Sequence, residues 1–327
     1  MAALRLAALD VGSNSIHVTV GRVPKNRVEV IRLADEADLV RLGADVTAYG
    51  EIRPERMARA IATIRDHAEL ARLYEAQVVL GVATEGVRRA ANGAAFLARV
   101  RRETGVLLEL VTGAQEAALT YWGATSGLKP IKGRRAVLDM GGGSLEFVVG
   151  RGRTIDWRVS LPLGSGTMRH RYAPSDPPSP DELEAVRRVV VETLTPLDPP
   201  LPVAEAIVCG GTAMSLAMLG GRITVPDELS GEAGPPKRNR YLTRAQLEAV
   251  LALLETTPSA TICHRFGVEE GRARLLAAGA AVLLAAMDEL RLDVLRARRR
   301  GVREGAILTY AHVGERWLEA AEKGEVW

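Results

Sequence analysis

The chain has 327 residues, 47% apolar and 25% charged, with a formal net charge of +3. That length accommodates two domains, and the composition suits a globular chain with buried cores rather than a disordered or collagenous one. The small net charge argues against a whole-surface nucleic-acid binder, and two cysteines (Cys209, Cys263) with no CxxC exclude a disulfide scaffold and fit a reduced compartment.

Leu4–Leu9 is an apolar run that leads directly into an aspartate–glycine turn, so no signal peptide is expected and the expected location is cytoplasmic. Residues 6–22, LAALDVGSNSIHVTVGR, read as strand, turn and strand. Pro54–Tyr74 carries helical spacing through Met57, Ile61, Ile64, Leu70 and Leu73. Gln77–Val82 reads as a buried strand, Ala94–Glu103 as a helix and Val106–Val111 as a strand. Thr112 and Gln115 then form a capping-box pattern, which starts a helix near Gly113 and puts Glu116 in its first turn.

Residues 135–151, RAVLDMGGGSLEFVVGR, repeat the opening hairpin. With Asp10 set on Asp139, Gly12 falls on Gly141, Ser15 on Ser144, Val20 on Val149, Gly21 on Gly150 and Arg22 on Arg151, without a gap. A repeat at so long a period predicts two domains of common ancestry. The change-over lies near Gly123–Gly127, giving an N-terminal domain over 1–124 and a C-terminal domain over 125–327, with a last helix near 302–320 that can pack back on the first. Ser179-Pro180 opens a helix through Thr193, Ala206–Cys209 is a short strand, and Thr243 with Gln246 caps a helix through Leu254. Leu275–Met287 is too short and too alanine-rich to span a bilayer and reads as a buried helix, so no membrane is expected. Leu295–Gly301 leads into a final helix from Val302. The Pro-rich stretches Ala173–Pro180, Thr195–Pro202 and Gly231–Pro236 read as surface connections.

The turns DVGSNS (10–15) and DMGGGS (139–144) expose successive backbone N–H groups under little side-chain cover, which makes an anion nest. Ser15 and Ser144 add hydroxyls. Asp10 and Asp139, at the strand ends, are placed to hold Mg2+ directly or through water. One such hairpin reads as an ordinary turn; two related copies point to phosphate binding. Where the first copy has His17 the second has Glu146, a carboxylate suited to metal or nucleophilic water, or else to a cross-strand charge pair. Glu116 suits a general base for attack by water, although its spacing alone favours compensation of the helix dipole. Gly210-Gly211-Thr212 reads either as a tight turn or as a third phosphate loop. Thr84 and Arg88, in ATEGVRRA, read as a helix cap and a solvated arginine. The basic runs Lys129–Arg135 and Arg296–Arg303 are solvated faces or a track for an outgoing polyanion.

These motifs together resemble the exopolyphosphatase / guanosine pentaphosphate phosphohydrolase family in its short, two-domain form. The likeness runs through DVGSNS, ATEGVRRA, VTGAQEA (111–117), VLDMGGGSLEF (137–147), LPLG (161–164), VCGGTA (208–213) and VREGAIL (302–308). The resemblance implies an α/β fold of two duplicated ribonuclease H-like domains, shared with actin, sugar kinases and heat-shock ATPases, with an active-site cleft between them. It implies Glu116 as the catalytic base, Asp139, Glu146 and Asp10 around Mg2+ or Mn2+, and Arg88 reaching the substrate. Phosphates would be held by Ser13, Asn14 and Ser15, by Gly141, Gly142, Gly143 and Ser144, and by Gly210, Gly211 and Thr212. The family often has two acidic residues where this chain has Gln115-Glu116, and Leu145 replaces a usual hydroxyl residue.

The implied activity is release of orthophosphate from the end of inorganic polyphosphate. Hydrolysis of guanosine pentaphosphate at the same site is the alternative, and a 4% aromatic content tilts the expectation towards the polymer. A non-catalytic regulator that binds polyphosphate or the alarmone is the alternative of another class, opposed by the retained Glu116. A kinase-like switch is disfavoured, since Gly81–Gly86 has P-loop glycine spacing without the following Lys-Ser/Thr. No nucleic-acid partner is expected, and a homodimer is compatible with the resemblance.

Overall fold

The computed structural model describes residues 4–25, 28–223 and 241–324. It is a mixed α/β structure with two sheets. The first sheet opens with a meander of β1 (Leu4–Val11), β2 (Ser15–Val23) and β3 (Ile31–Leu39), each antiparallel to the last. β4 (Val78–Ala83) then lies parallel to β1, and β5 (Leu108–Leu110) parallel to β4, giving the order β3-β2-β1-β4-β5. The unbroken apolar run Leu6–Leu9 suits a central strand covered on both faces, and those four residues are fully buried. Helices α1 (Leu42–Tyr49), α2 (Pro54–Leu73), α3 (Glu85–Arg88), α4 (Gly93–Thr104) and α5 (Gly113–Thr125) complete this part. Met57, Ile61 and Ile64 of α2 and Phe96 of α4 join Leu9, Val11, Ile16 and Val18 in one core.

The second sheet has the order β10-β11-β9-β6-β7-β8. Its strands are β6 (Arg135–Met140), β7 (Leu145–Arg151), β8 (Thr154–Leu161), β9 (Glu205–Cys209), β10 (Tyr241–Thr243) and β11 (Val294–Ala297). β6 is parallel to β9, and β9 to β11. With the edge strand β10 set aside, the second sheet repeats the plan of the first: β8-β7-β6-β9-β11 stands for β3-β2-β1-β4-β5. The duplication read in the sequence is thus a duplication of topology. Its helices are α6 (Ser165–Tyr172), α7 (Pro180–Leu194), α8 (Gly211–Ile223), α9 (Arg244–Thr256), α10 (Ser259–Phe266), α11 (Glu270–Ala273) and α12 (Leu276–Glu289). The Leu275–Met287 run is α12, buried along nearly its full length. No helix among the described residues is long and apolar enough to cross a membrane.

The chain forms two compact units, one of Met1–Gly133, Glu146–Ser160 and Arg300–Trp327, the other of Arg134–Leu145 and Leu161–Arg299. The division at residue 124 followed the repeat, whereas packing divides the chain differently. Tyr121 and Trp122 of α5 donate to the carbonyls of Gly152 (3.3 Å) and Arg153 (2.8 Å), which draws the β7–β8 hairpin into the first unit. The last elements, α13 (Val302–Val313), a 3-10 turn and α14 (Trp317–Lys323), also belong to the first unit. There α13 packs along α5, and its fully buried Glu304 accepts from Arg32 of β3 at 2.6 Å. The Gly231–Pro236 connection lies outside the described residues.

Candidate active site

The two copies make the same turn. Gly12 N–H donates to Ser15 O at 3.1 Å, and Gly141 N–H donates to Ser144 O at 3.0 Å. In both, the next helix takes up the carbonyls of the turn. At the start of α1, Asn14 O accepts from Val40 N–H (3.1 Å) and Arg41 N–H (2.8 Å), and Ser13 O from Gly43 N–H (2.7 Å). At the start of α6, Gly141 O accepts from Ser165 N–H (3.0 Å), and Gly142 O from Gly166 (2.9 Å) and Thr167 (3.0 Å). The engaged carbonyls fix the path of each turn, the first requirement for a backbone anion nest.

Two motif glycines back these turns. A Cβ on Gly86, which closes ATEG, would stand 2.8 Å from Ser13 Oγ and 2.9 Å from Ser13 Cα. One on Gly164, which closes LPLG, would stand 2.4 Å from Gly143 C and 2.5 Å from Ser144 N. Only a residue without a side chain lets the next element lie flush against the turn.

In the first unit, Ser13 Oγ donates to Glu85 Oε2 at 2.7 Å, tying the turn to α3. Ser15 Oγ lies 2.6 Å from His17 Nε2. Asn14 Nδ2 is buried with no hydrogen-bond partner among the described residues, a donor in want of an acceptor. Asp10 stands in register between His17 of β2 and Val82 of β4. The Thr112–Gln115 capping box is present, with Thr112 Oγ1 accepting from Gln115 N–H at 3.1 Å and Gln115 Oε1 from Thr112 N–H at 2.8 Å. It puts Glu116 in the first turn of α5, 8% exposed, with Arg88 Nη1 3.7 Å from its Oε2. Arg88 also donates to Val111 O at 2.5 Å, so it is held against α5 rather than solvated. Glu146, on β7 and 1% exposed, accepts from Ser160 Oγ at 2.8 Å.

In the second unit, Asp139 is the register partner of Cys209, so the Gly210–Thr212 turn follows beside the end of β6. Thr212 Oγ1 lies 3.0 Å from Ser165 Oγ, which also donates to Gly141 O at 3.2 Å, and Thr167 Oγ1 donates to Gly143 O at 3.0 Å. These contacts join the Gly141–Ser144 and Gly210–Thr212 turns through α6. The Arg272 guanidinium lies against the same place: a Cβ on Gly211 would meet its Nη1 at 2.5 Å and its Cζ at 2.6 Å. Burial draws the Arg272 pKa below the ordinary arginine value, with Glu269 partly opposing. A cation penalised in this way gains from a nearby anion.

The named residues therefore fall into two groups. Asp10, Ser13, Asn14, Ser15, Arg88, Glu116 and Glu146 lie in the first unit; Asp139, Gly141–Ser144 and Gly210–Thr212 lie in the second. Among the described residues no group of three or more His, Cys, Asp or Glu side chains forms a metal cage. Mg2+ commonly takes one or two carboxylates and completes its shell with water and phosphate oxygens. Glu146, buried and oriented by Ser160, suits that manner of ligation in the first unit, as does Asp139 in the second.

Three arginines of the basic runs serve other ends than tracking a polymer. Arg135 and Arg296 share Glu205, at 2.6 and 2.7 Å, and Arg303 pairs with Asp35 at 2.7 Å. Sequence reading missed Arg272, Ser160, Ser165 and Thr167. Arg272, Ser165 and Thr167 stand 24 or more residues from the turns they contact, Ser160 meets Glu146 only across the β7–β8 pairing, and only the LPLG motif between Ser160 and Ser165 pointed to this stretch.

The model of the Ppx/GppA phosphatase family matches residues 23–313. Exopolyphosphatase 1 of Mycobacterium leprae is 30% identical over 311 residues, covering 93% of this chain and 89% of that protein. Exopolyphosphatase 2 of Mycobacterium tuberculosis is 31% identical over 328 residues, covering 95% and 100%. The crystal structure of the Aquifex aeolicus member of the Ppx/GppA protein family superposes with a TM-score of 0.76 at 26% identity, covering 96% of this chain and 99% of that one. The chain belongs to the Ppx/GppA phosphatase family and is a phosphoanhydride hydrolase.

Proposed function

We propose that this protein is an exopolyphosphatase. On this reading water attacks the terminal phosphorus of inorganic polyphosphate and gives up a proton to Glu116. A new P–O bond forms to the water oxygen, the bridging P–O bond breaks, and orthophosphate leaves a chain one unit shorter. The Ser13–Ser15, Gly141–Ser144 and Gly210–Thr212 turns take phosphate oxygens through backbone N–H groups, and Arg88 and Arg272 add charge-assisted contacts. Asp10 and Glu146 in the first unit, and Asp139 in the second, would each be available to hold Mg2+ directly or through water, and a bound ion would neutralise charge on phosphate oxygens.

Glu116 carries the reading: it is a buried carboxylate at a capped helix start, beside Arg88, in the unit that bears the first turn. A base must stand within reach of the attacking water, and the capped helix start with the adjacent Arg88 guanidinium holds this carboxylate in one place. Two relatives matching nearly the whole chain bear the name exopolyphosphatase, which favours the polymer as substrate.

The test is orthophosphate release from polyphosphates of several lengths, guanosine pentaphosphate and ATP, each with Mg2+. Release from polyphosphate is expected, and release from guanosine pentaphosphate alone would move the assignment to the alarmone. Glu116→Gln is expected to lower release by about 100-fold or more while polyphosphate binding persists. Full activity in that variant removes the base assignment.

A further inference from the structure

Ser160 touches two elements that the reaction needs. From β8 its Oγ donates to Glu146 Oε1 on the neighbouring strand β7, at 2.8 Å. Its Cβ faces Gly113, the first residue of α5, where an added Cβ would come within 2.6 Å of Ser160 Cβ and 3.1 Å of Oγ. Glu116 lies within the same first turn of α5, its N–H bonded to Thr112 O at 2.9 Å. One small side chain thus stands between the strand-borne carboxylate and the helix that carries the base.

The surroundings brace that contact. Side chains two apart on a strand share a face, and two residues before Ser160 comes Arg158. Its guanidinium donates to Ala321 O at 2.8 Å and to Glu322 O, near the end of α14. The same helix holds the start of α5, since Thr112 Oγ1 donates to Glu322 Oε2 at 2.8 Å and Gln115 Nε2 to Leu318 O at 3.2 Å. The contacts close a ring: β7 to β8 through Ser160, β8 to α14 through Arg158, α14 to α5 through Thr112 and Gln115, and α5 back to Ser160 through Gly113. Within the first unit, Glu146 and Glu116 are therefore registered against each other by packing and not by local sequence.

The geometry assigns Ser160 as a positioning residue that sets the Glu146 carboxylate against the first turn of α5, with Gly113 as its obligatory partner. This rests on the reading of Glu116 and Glu146 given above. Ser160 touches no substrate; it acts by fixing the two groups that do. A purely structural serine would satisfy the buried carboxylate and nothing more, and its loss would then lower stability without lowering turnover selectively.

The test is a double-mutant cycle read on kcat, KM and Tm. Ser160→Ala keeps the Cβ against Gly113 and removes the donor; kcat is expected to fall about tenfold with KM nearly unchanged, as for a misplaced catalytic group. Gly113→Ala drives a Cβ into Ser160 and is expected to lower both kcat and Tm. In a Ser160→Gly background the clash is gone, so Gly113→Ala is expected to change neither value further. Additive effects in the two backgrounds, on Tm or on kcat, overturn the proposal, as does a Ser160→Ala variant with unaltered kcat. Tm carries the cycle if a single variant is too inactive to assay. Glu116→Gln and Glu146→Gln separate the two levels. If both remain active, the reading of the site fails; if both are inactive while Ser160→Ala turns over normally, the positioning role alone fails.

Discussion

The Ser13–Ser15 turn and the Gly141–Ser144 turn share a plan and a backbone hydrogen bond, but different chemistry anchors them. The first uses its own side chain, as Ser13 Oγ reaches out to Glu85, while its backbone carbonyl Asn14 O takes two N–H groups at the approach to α1. One of these belongs to Arg41, held at φ 61°, ψ 45°, a left-handed conformation that costs a residue other than glycine roughly 1–2 kcal/mol. The second turn has glycines at the matching positions 142 and 143 and no side chain to reach with. Its anchors come from the other partner instead, as the hydroxyls of Ser165 and Thr167 on α6. Duplication has kept the hydrogen-bond pattern and let the residues that enforce it change sides.

The difference in anchoring has its largest expected consequence at the backing glycines. Gly164→Ala would press a Cβ onto backbone atoms that cannot move away, and a displacement of about 1 Å in the second turn is expected to lower kcat/KM roughly 100-fold. Gly86→Ala meets a hydroxyl as well as Ser13 Cα, and the hydroxyl can rotate, so a smaller loss of about tenfold is expected. Equal losses in the two variants would mean that both turns yield alike and that the difference in anchoring is of no consequence.

Arg272 places a guanidinium at the turns of the second unit, as Arg88 places one beside Glu116 in the first. Arg272→Ala is expected to raise the KM for polyphosphate by about 10-fold to 100-fold, the range for a lost hydrogen bond to a charged group. Arg272→Lys keeps the charge but not the fork, so an intermediate KM is expected. An unchanged KM in Arg272→Ala would confine the guanidinium to packing.

The smallest effect is on acid stability, where the units are alike. Burial pushes the Asp35 carboxyl up, but Arg303, Arg32 and the Thr19 hydroxyl together hold it below its usual value. In the second unit burial likewise raises Glu205, and Arg135 and Arg296 more than reverse it. Both carboxyls titrate lower in the folded protein than in the unfolded chain. Each therefore contributes stability that is in place above its unfolded value, near pH ~4, and is lost as pH falls through the folded value. Asp35→Asn and Glu205→Gln are each expected to flatten the fall of Tm with pH below about 4. An acid limb of unchanged slope in both variants would show that other carboxyls govern it.

Much of this architecture was legible because its signals are local. A capping box is a matter of four consecutive residues, so Thr112–Gln115, Ser179–Glu182 and Thr243–Gln246 all mark observed helix starts. The paired turns were legible because the aspartate, glycine and serine that make them are neighbours in the chain. Edge elements were not: β3 (IRLADEADL) is mostly exposed and alternates weakly, and its place is decided by pairing with β2. Helix α6 likewise has no apolar stripe, because its work is done by Ser165, Gly166 and Thr167 against the second turn.

The duplication, the two turns and the capped helix that bears Glu116 were set by the amino-acid sequence alone. Each depends on residues close together in the chain, where spacing and hydrogen-bonding capacity are visible. Which side chains serve those groups follows from how the folded chain packs. Arg88 beside Glu116, Arg272 against Gly211 and Arg32 on Glu304 join segments far apart in sequence, and Ser160 meets Glu146 only through the pairing of β8 with β7. Such contacts are selected by packing density and by the need to satisfy buried polar groups, and neither leaves a periodic trace along the chain.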